Sequence, residues 1–199
     1  MIMVSGVGSV FKCQESRLMP EHLRADAQAN RDRLLEVAAT AFEREGANAS
    51  LKAIAAEAGV GIGTLYRRFP NREALYIAVH RQEITRIAAR ADELLAAHDP
   101  LDALLAWLEE FAEFLGAKEG MSEIFRTVMA DGQNPFLDLR ALTNDAVRRL
   151  ISAAAGDGVR QDLEPLDVLT AVHGITLATR DPGQLERLIR LLLAGLRSS

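Results

Sequence analysis

Five side chains within nine positions, Thr64, Tyr66, Arg67, Arg68 and Arg72, offer two hydroxyls and three cations with no acid between them. Such groups suit binding more than bond-breaking. Hydroxyls and guanidinium groups bond phosphate oxygens, and a guanidinium can also fork onto guanine O6 and N7 in a major groove. Just ahead of them stands "GVGIG", residues 59–63, with three glycines in five positions. A glycine inside a helix costs about 1 kcal/mol relative to alanine. Bare positions at Gly61 and Gly63 would let backbone approach a nucleic acid without side-chain obstruction.

The elements that must carry these groups are short helices. Ser50 can cap a helix whose inner face is Leu51, Ile54, Ala55 and Ala58. Gly59 follows at the position where a left-handed backbone ends a helix cheaply. The next helix sets Ile62, Leu65, Tyr66 and Phe69 on one side, and Pro70 ends it. Asn71 caps a long fourth helix that opens with Arg72 and breaks at "HDP", residues 98–100. Two helices joined by a glycine-containing turn follow the helix-turn-helix plan. On that plan the candidate DNA contacts are Ser50, Lys52, Gly61, Gly63, Thr64, Tyr66, Arg67, Arg68 and Arg72, with a dipole-favoured phosphate site where the fourth helix starts. Spacing alone equally fits an αα-hairpin with a solvated cationic face.

The run "RDRLLEVAATAFEREGANASLKAIAAEAGVGIGTLYRRFPNREAL", residues 31–75, resembles the N-terminal DNA-binding domain of the TetR family of bacterial transcriptional regulators. The resemblance lies in Ala38 to Phe42 followed by Gly46, in "IAAEAGV", in "GTLYRRF" and in "NREAL", in the family's order and spacing. It implies an all-α homodimer, a three-helix head on each subunit and a larger C-terminal effector-binding domain. It also implies that Thr64, Tyr66 and Arg67 contact DNA. Arg72 stands where lysine is common, Gly61 where serine is common, and Arg68 where histidine is common.

Composition sets the frame. The chain of 199 residues is 49% hydrophobic and 26% charged, in keeping with a folded protein carrying a sizeable core. No apolar run reaches the roughly 18 residues that span a bilayer, and the first residues lack a basic region and a cleavage site. One cysteine, Cys13, forms no internal disulfide and suits a cytoplasmic location. The net charge of −5 is uneven: residues 1–72 carry ten Lys/Arg against eight Asp/Glu, the remainder thirteen against twenty. A mildly cationic head on an acidic body suits a head that meets phosphate. The expected division is a flexible tail over 1–25, a DNA-binding domain over 26–72, and an effector-binding and dimerisation domain over 73–199.

Five further helices are expected after residue 100: one from Leu101 to Leu115, then 120–131, 136–155, 165–180 and 182–197. The eighth carries a small-residue row, Ala171, Gly174 and Ala178. The ninth is apolar almost all round, with Leu185, Leu188, Ile189, Leu192 and Leu196. These residues are the candidate dimer interface, closing a four-helix contact with a second copy. Trp107, Phe111, Phe114, Met121, Phe125, Met129 and Phe136, with His173, are the candidate pocket for a small apolar or amphipathic effector, although aromatic and methionine clusters equally build plain core. Four histidines without ligand spacing exclude a metal sensor, and no catalytic constellation or cofactor motif is present. The reading is a ligand-responsive repressor on a palindromic operator. Its rival is a helical protein-interaction or structural dimer that binds no operator.

Overall fold

The computed structural model describes residues 21–116, 122–130, 134–179 and 181–197. The expected tail up to residue 20, with Cys13, lies outside the described residues, as does Met121. The described residues form nine α-helices: α1 Glu21–Glu45, α2 Leu51–Glu57, α3 Ile62–Arg68, α4 Arg72–Ala97, α5 Pro100–Gly116, α6 Ser122–Met129, α7 Leu137–Ala153, α8 Pro165–Ala178 and α9 Pro182–Gly195. No strand occurs among them. One antiparallel bridge, Val159 to Arg197, ties the segment before α8 to the end of α9.

Helix ends follow the local chemistry. Ser50 Oγ accepts from the Ala53 amide at 3.3 Å, and Asn71 Oδ1 accepts from the Ala74 amide at 2.8 Å. Gly59 has φ +71°, and Val60 N donates to Ala55 O while Gly59 N donates to Ala56 O. These paired bonds satisfy the last carbonyls of α2 and turn the chain into α3. The first helix starts at Glu21, five residues ahead of the expected Asp26.

Two apolar clusters meet along α4. The head cluster packs Leu34, Leu35, Ala38 and Phe42 of α1 on Ile54 of α2, Leu65 of α3 and Leu75, Tyr76, Val79 and Ile84 of α4. It also takes in Ile124, Phe136 and Leu139 from the second half of the chain. The body cluster starts at Ile87 on α4 and fills the space between α5, α7, α8 and α9. The single long helix therefore supplies core to both ends of the molecule. Trp107 joins α5 to α4 in the body, its Nε1 donating to Ile87 O at 2.8 Å.

One expected core residue faces outward. Ile62 is 39% exposed, whereas Leu65 and Phe69 are buried. Side chains tilt toward the N-terminus of their helix. Ile62 is the first residue of a two-turn helix, so its side chain overhangs the helix end and is only partly covered.

Candidate nucleic-acid interface and ligand cavity

The helix-turn-helix places most of the cationic cluster in solvent. Ser50, Lys52, Gly61, Gly63, Tyr66, Arg67 and Arg68 are exposed, and Thr64 and Arg72 are half-buried. Tyr66 is 49% exposed. Although its spacing sets it on the side of Leu65 and Phe69, its ring is open to contact. Arg67 Nη2 donates to Thr64 Oγ1 at 2.8 Å, one turn back along α3. That bond holds the guanidinium along the outer surface of the helix. Ser50 uses its oxygen as a cap acceptor, so its hydroxyl hydrogen can still be donated.

Gly63 in α3 and Gly61 just ahead of it have no internal cause. A Cβ on Gly63 would meet nothing within 4 Å, and one on Gly61 would meet only Thr64 Oγ1 at 3.9 Å. Neither position requires a positive φ. Gly61 proves to be the extended N-cap of α3 and not a helical residue, so only the bareness of Gly63 costs helix stability, and packing within the subunit explains neither.

The second site is a cavity of about 830 Å³ below the head. Its walls come from α4 (Tyr76, His80, Ile84), α5 (Phe111, Phe114, Leu115), α6 (Phe125), the connection into α7 (Asn134, Phe136), α7 (Leu139, Arg140, Thr143) and α8 (His173, Leu177). Its size falls within the range of small-molecule pockets. Ring contacts organise the walls. His80 stacks on Tyr76 at 5.9 Å and meets Phe136 edge-on at 4.5 Å, and Phe125 stacks on Phe136 at 6.0 Å. Burial, with a smaller push from Glu83, raises the Tyr76 phenol to about 12, so it stays neutral.

Phe111, Phe114, Phe125, Phe136 and His173 line this cavity as the sequence suggested. Trp107 does not: it is wholly buried and stacks behind Phe111 at 5.2 Å. Met129 packs against the head cluster and is absent from the lining. Sequence reasoning missed Tyr76, His80 and Ile84, although their spacing of four along α4 marks a single face. It also missed Asn134, Leu139, Arg140 and Thr143, which no periodicity assigns to a cavity.

Of the residues expected at a dimer interface, Ile189 and Leu196 are buried within their own subunit, at 0% and 6% exposed. Leu185, Leu188, Leu192 and Ala171 are half-buried, and Gly174 and Ala178 are exposed. The strongly exposed apolar side chains of these helices are Leu166, Leu177 and Leu191, at 52%, 68% and 68%. Among the described residues no helix is long and apolar enough to cross a membrane, and no cluster of metal-ligating residues forms.

A glycine-turned two-helix reader on a three-helix head, joined by one long helix to a helical body with a cavity, defines a helix-turn-helix regulator. Residues 34–79 match the family model of bacterial regulatory proteins, tetR family, and residues 99–198 match that of the transcriptional regulator SbtR-like C-terminal domain. Among solved structures, the TetR transcriptional regulator SCO0520 from Streptomyces coelicolor is 43% identical with a TM-score of 0.75, the match covering 85% of this chain and 99% of that one. A TetR transcription regulatory protein from Mycobacterium vanbaalenii is 31% identical with a TM-score of 0.68, over 88% of this chain and 99% of that one. An HTH-type transcriptional regulator of Staphylococcus aureus (strain USA300) is 35% identical over 94 residues, 45% of this chain and 51% of that protein. The match thus spans about half the length of that curated relative. The chain belongs to the TetR family of bacterial transcriptional regulators, which bind DNA and are not enzymes.

Proposed function

We propose that this regulator works in the cytoplasm as a homodimeric repressor, binding a palindromic operator through its two α3 helices and leaving it when a small molecule fills the cavity. The observation that carries the DNA half of the reading is Gly63. It is a helical glycine in open space beside exposed Tyr66, Arg67 and Arg68. A surface kept bare at a cost in helix stability suits a partner that comes from outside the subunit. On this reading residues 26–72 do the reading of DNA and residues 73–199 the sensing and pairing.

Support for the homodimer comes from Leu166 on α8 and Leu191 on α9, both exposed, and from bare Gly174 on α8. Support for release comes from the walls of the cavity. Tyr76 and Ile84 belong both to the cavity and to the head cluster. A ligand that binds one setting of α4 better than another would change the spacing of the two heads by that difference in affinity.

The test is Gly63→Ala. It should raise or leave unchanged the melting temperature, helix propensity favouring alanine by about 0.5–1 kcal/mol. It should also weaken binding to the DNA upstream of the chain's own coding region in a gel shift. Unchanged DNA affinity would remove the reason for the bare helix. Failure of the wild-type chain to bind that DNA or a genomic selection of sites would favour a helical interaction dimer instead.

A further inference from the structure

We propose that the ligand of the cavity is an amphipathic organic carboxylate, its apolar body among the aromatic walls and its head on Arg140. This rests on the reading of the cavity as the effector site. The charge of the lining decides the class. Its titratable side chains are Tyr76, His80, His173 and Arg140, and no Asp or Glu lines it among the described residues. Only Arg140 among these is a permanent cation. Other arginines nearby are committed: Arg81 to Asp138, and Arg90 to Glu110 and Glu93. Arg140 makes no side-chain ion pair or hydrogen bond among the described residues.

Two further polar side chains, Asn134 and Thr143, line the same cavity. Asn134 Oδ1 accepts from the Phe136 amide at 2.9 Å, which fixes the orientation of its side chain and leaves both amide hydrogens to donate. Thr143 spends its hydroxyl hydrogen on Arg140 O at 3.2 Å. A planar carboxylate matches the guanidinium fork. Among the described lining residues a cationic ligand finds no acidic counter-charge, and a doubly charged phosphate finds one permanent cation where it needs two. The rest of the wall is Phe, Leu and Ile84, which asks for an apolar body.

The experiment uses the full chain and two probes sharing one ring skeleton, the anion 1-anilinonaphthalene-8-sulfonate and its uncharged parent N-phenyl-1-naphthylamine. Trp107 is the only tryptophan and stacks on the lining residue Phe111, so energy transfer from it detects a probe bound in this part of the body, and the Arg140 variants assign that probe to the cavity. In wild type both probes should bind, and decanoate should displace the anion about tenfold more effectively than decanamide. Arg140→Gln should weaken the anion about tenfold and leave the uncharged probe within about twofold, with Arg140→Lys in between. Equal effects on both probes, no effect on either, or equal displacement by decanoate and decanamide would overturn the carboxylate. If neither probe draws energy from Trp107, the cavity is not a ligand site and the reading beneath fails separately.

Discussion

The ring of Phe42 on α1 meets that of Tyr76 on α4 edge-on, with centroids 6.1 Å apart and planes inclined at 75°. Phe42 sits at the centre of the head, and Tyr76 is a wall of the cavity. From Tyr76 the ring contacts continue through His80 and Phe114 to Phe111 and Trp107 in the body. Head and body are thus joined by a run of contacts between rigid planes as well as by helix α4. A double-mutant cycle on Phe42→Leu and Tyr76→Leu, followed by chemical denaturation, should give a coupling of about 0.5–1.5 kcal/mol. Additive losses would mean that the two rings merely share a core.

Arg81 on α4 forks onto both carboxylate oxygens of Asp138, in the first turn of α7, and onto Pro135 O at 2.7 Å. The guanidinium holds the Asp138 carboxyl below its ordinary value. A depressed acid stabilises the fold fully above its unfolded pKa, and that contribution fades as pH falls through the folded one. Asp138→Asn should therefore melt below wild type at pH 6. The gap should narrow below about pH 4 and close at lower pH, in thermal scans across that range. A gap independent of pH would assign the loss to packing.

On α3, positioning and reading should separate. Tyr66→Phe should weaken operator and random DNA alike, by about 1 kcal/mol, if its hydroxyl bonds a phosphate. Arg72→Ala should do the same and lower the salt slope by about one unit. Arg67→Ala should cost about 1–3 kcal/mol on operator and far less on random DNA if the guanidinium forks onto guanine. Titrations of all three variants at several salt concentrations decide this. Equal losses on both DNAs for Arg67→Ala would make it a phosphate clamp, despite its hydrogen bond to Thr64 at the outer surface.

The two apolar faces of α9 should respond differently to charge. Leu191 is 68% exposed in the subunit and lies outside the cavity wall, so Leu191→Glu should leave the fold intact and yield a monomer by light scattering. Ile189 is fully buried, and Ile189→Glu should fail to fold. A wild-type chain that is already monomeric at micromolar concentration would sink the interface.

Much of this was legible in the chain itself, because the signals were local. Leu34, Leu35, Ala38, Ala41 and Phe42 repeat at helical spacing and are buried. Ser50, Gly59 and Asn71 end or begin helices by bonds reaching no more than five residues. The bare, cationic third helix could be read in the same way, since its chemistry lies within fourteen positions. What only tertiary packing decided is which apolar neighbour each residue meets. Periodicity says that α9 is apolar on many sides. It cannot say that Ile189 and Leu196 turn into the subunit while Leu191 turns out, because that choice depends on how α9 crosses α5 and α8. The cavity obeys the same limit. Trp107 and Phe111 are neighbours on one helix, yet one stands behind the wall and the other forms it. Arg140 and Asn134 join them from elements with no pattern pointing inward. A cavity is a property of several helices at once, and no single stretch of sequence encodes it.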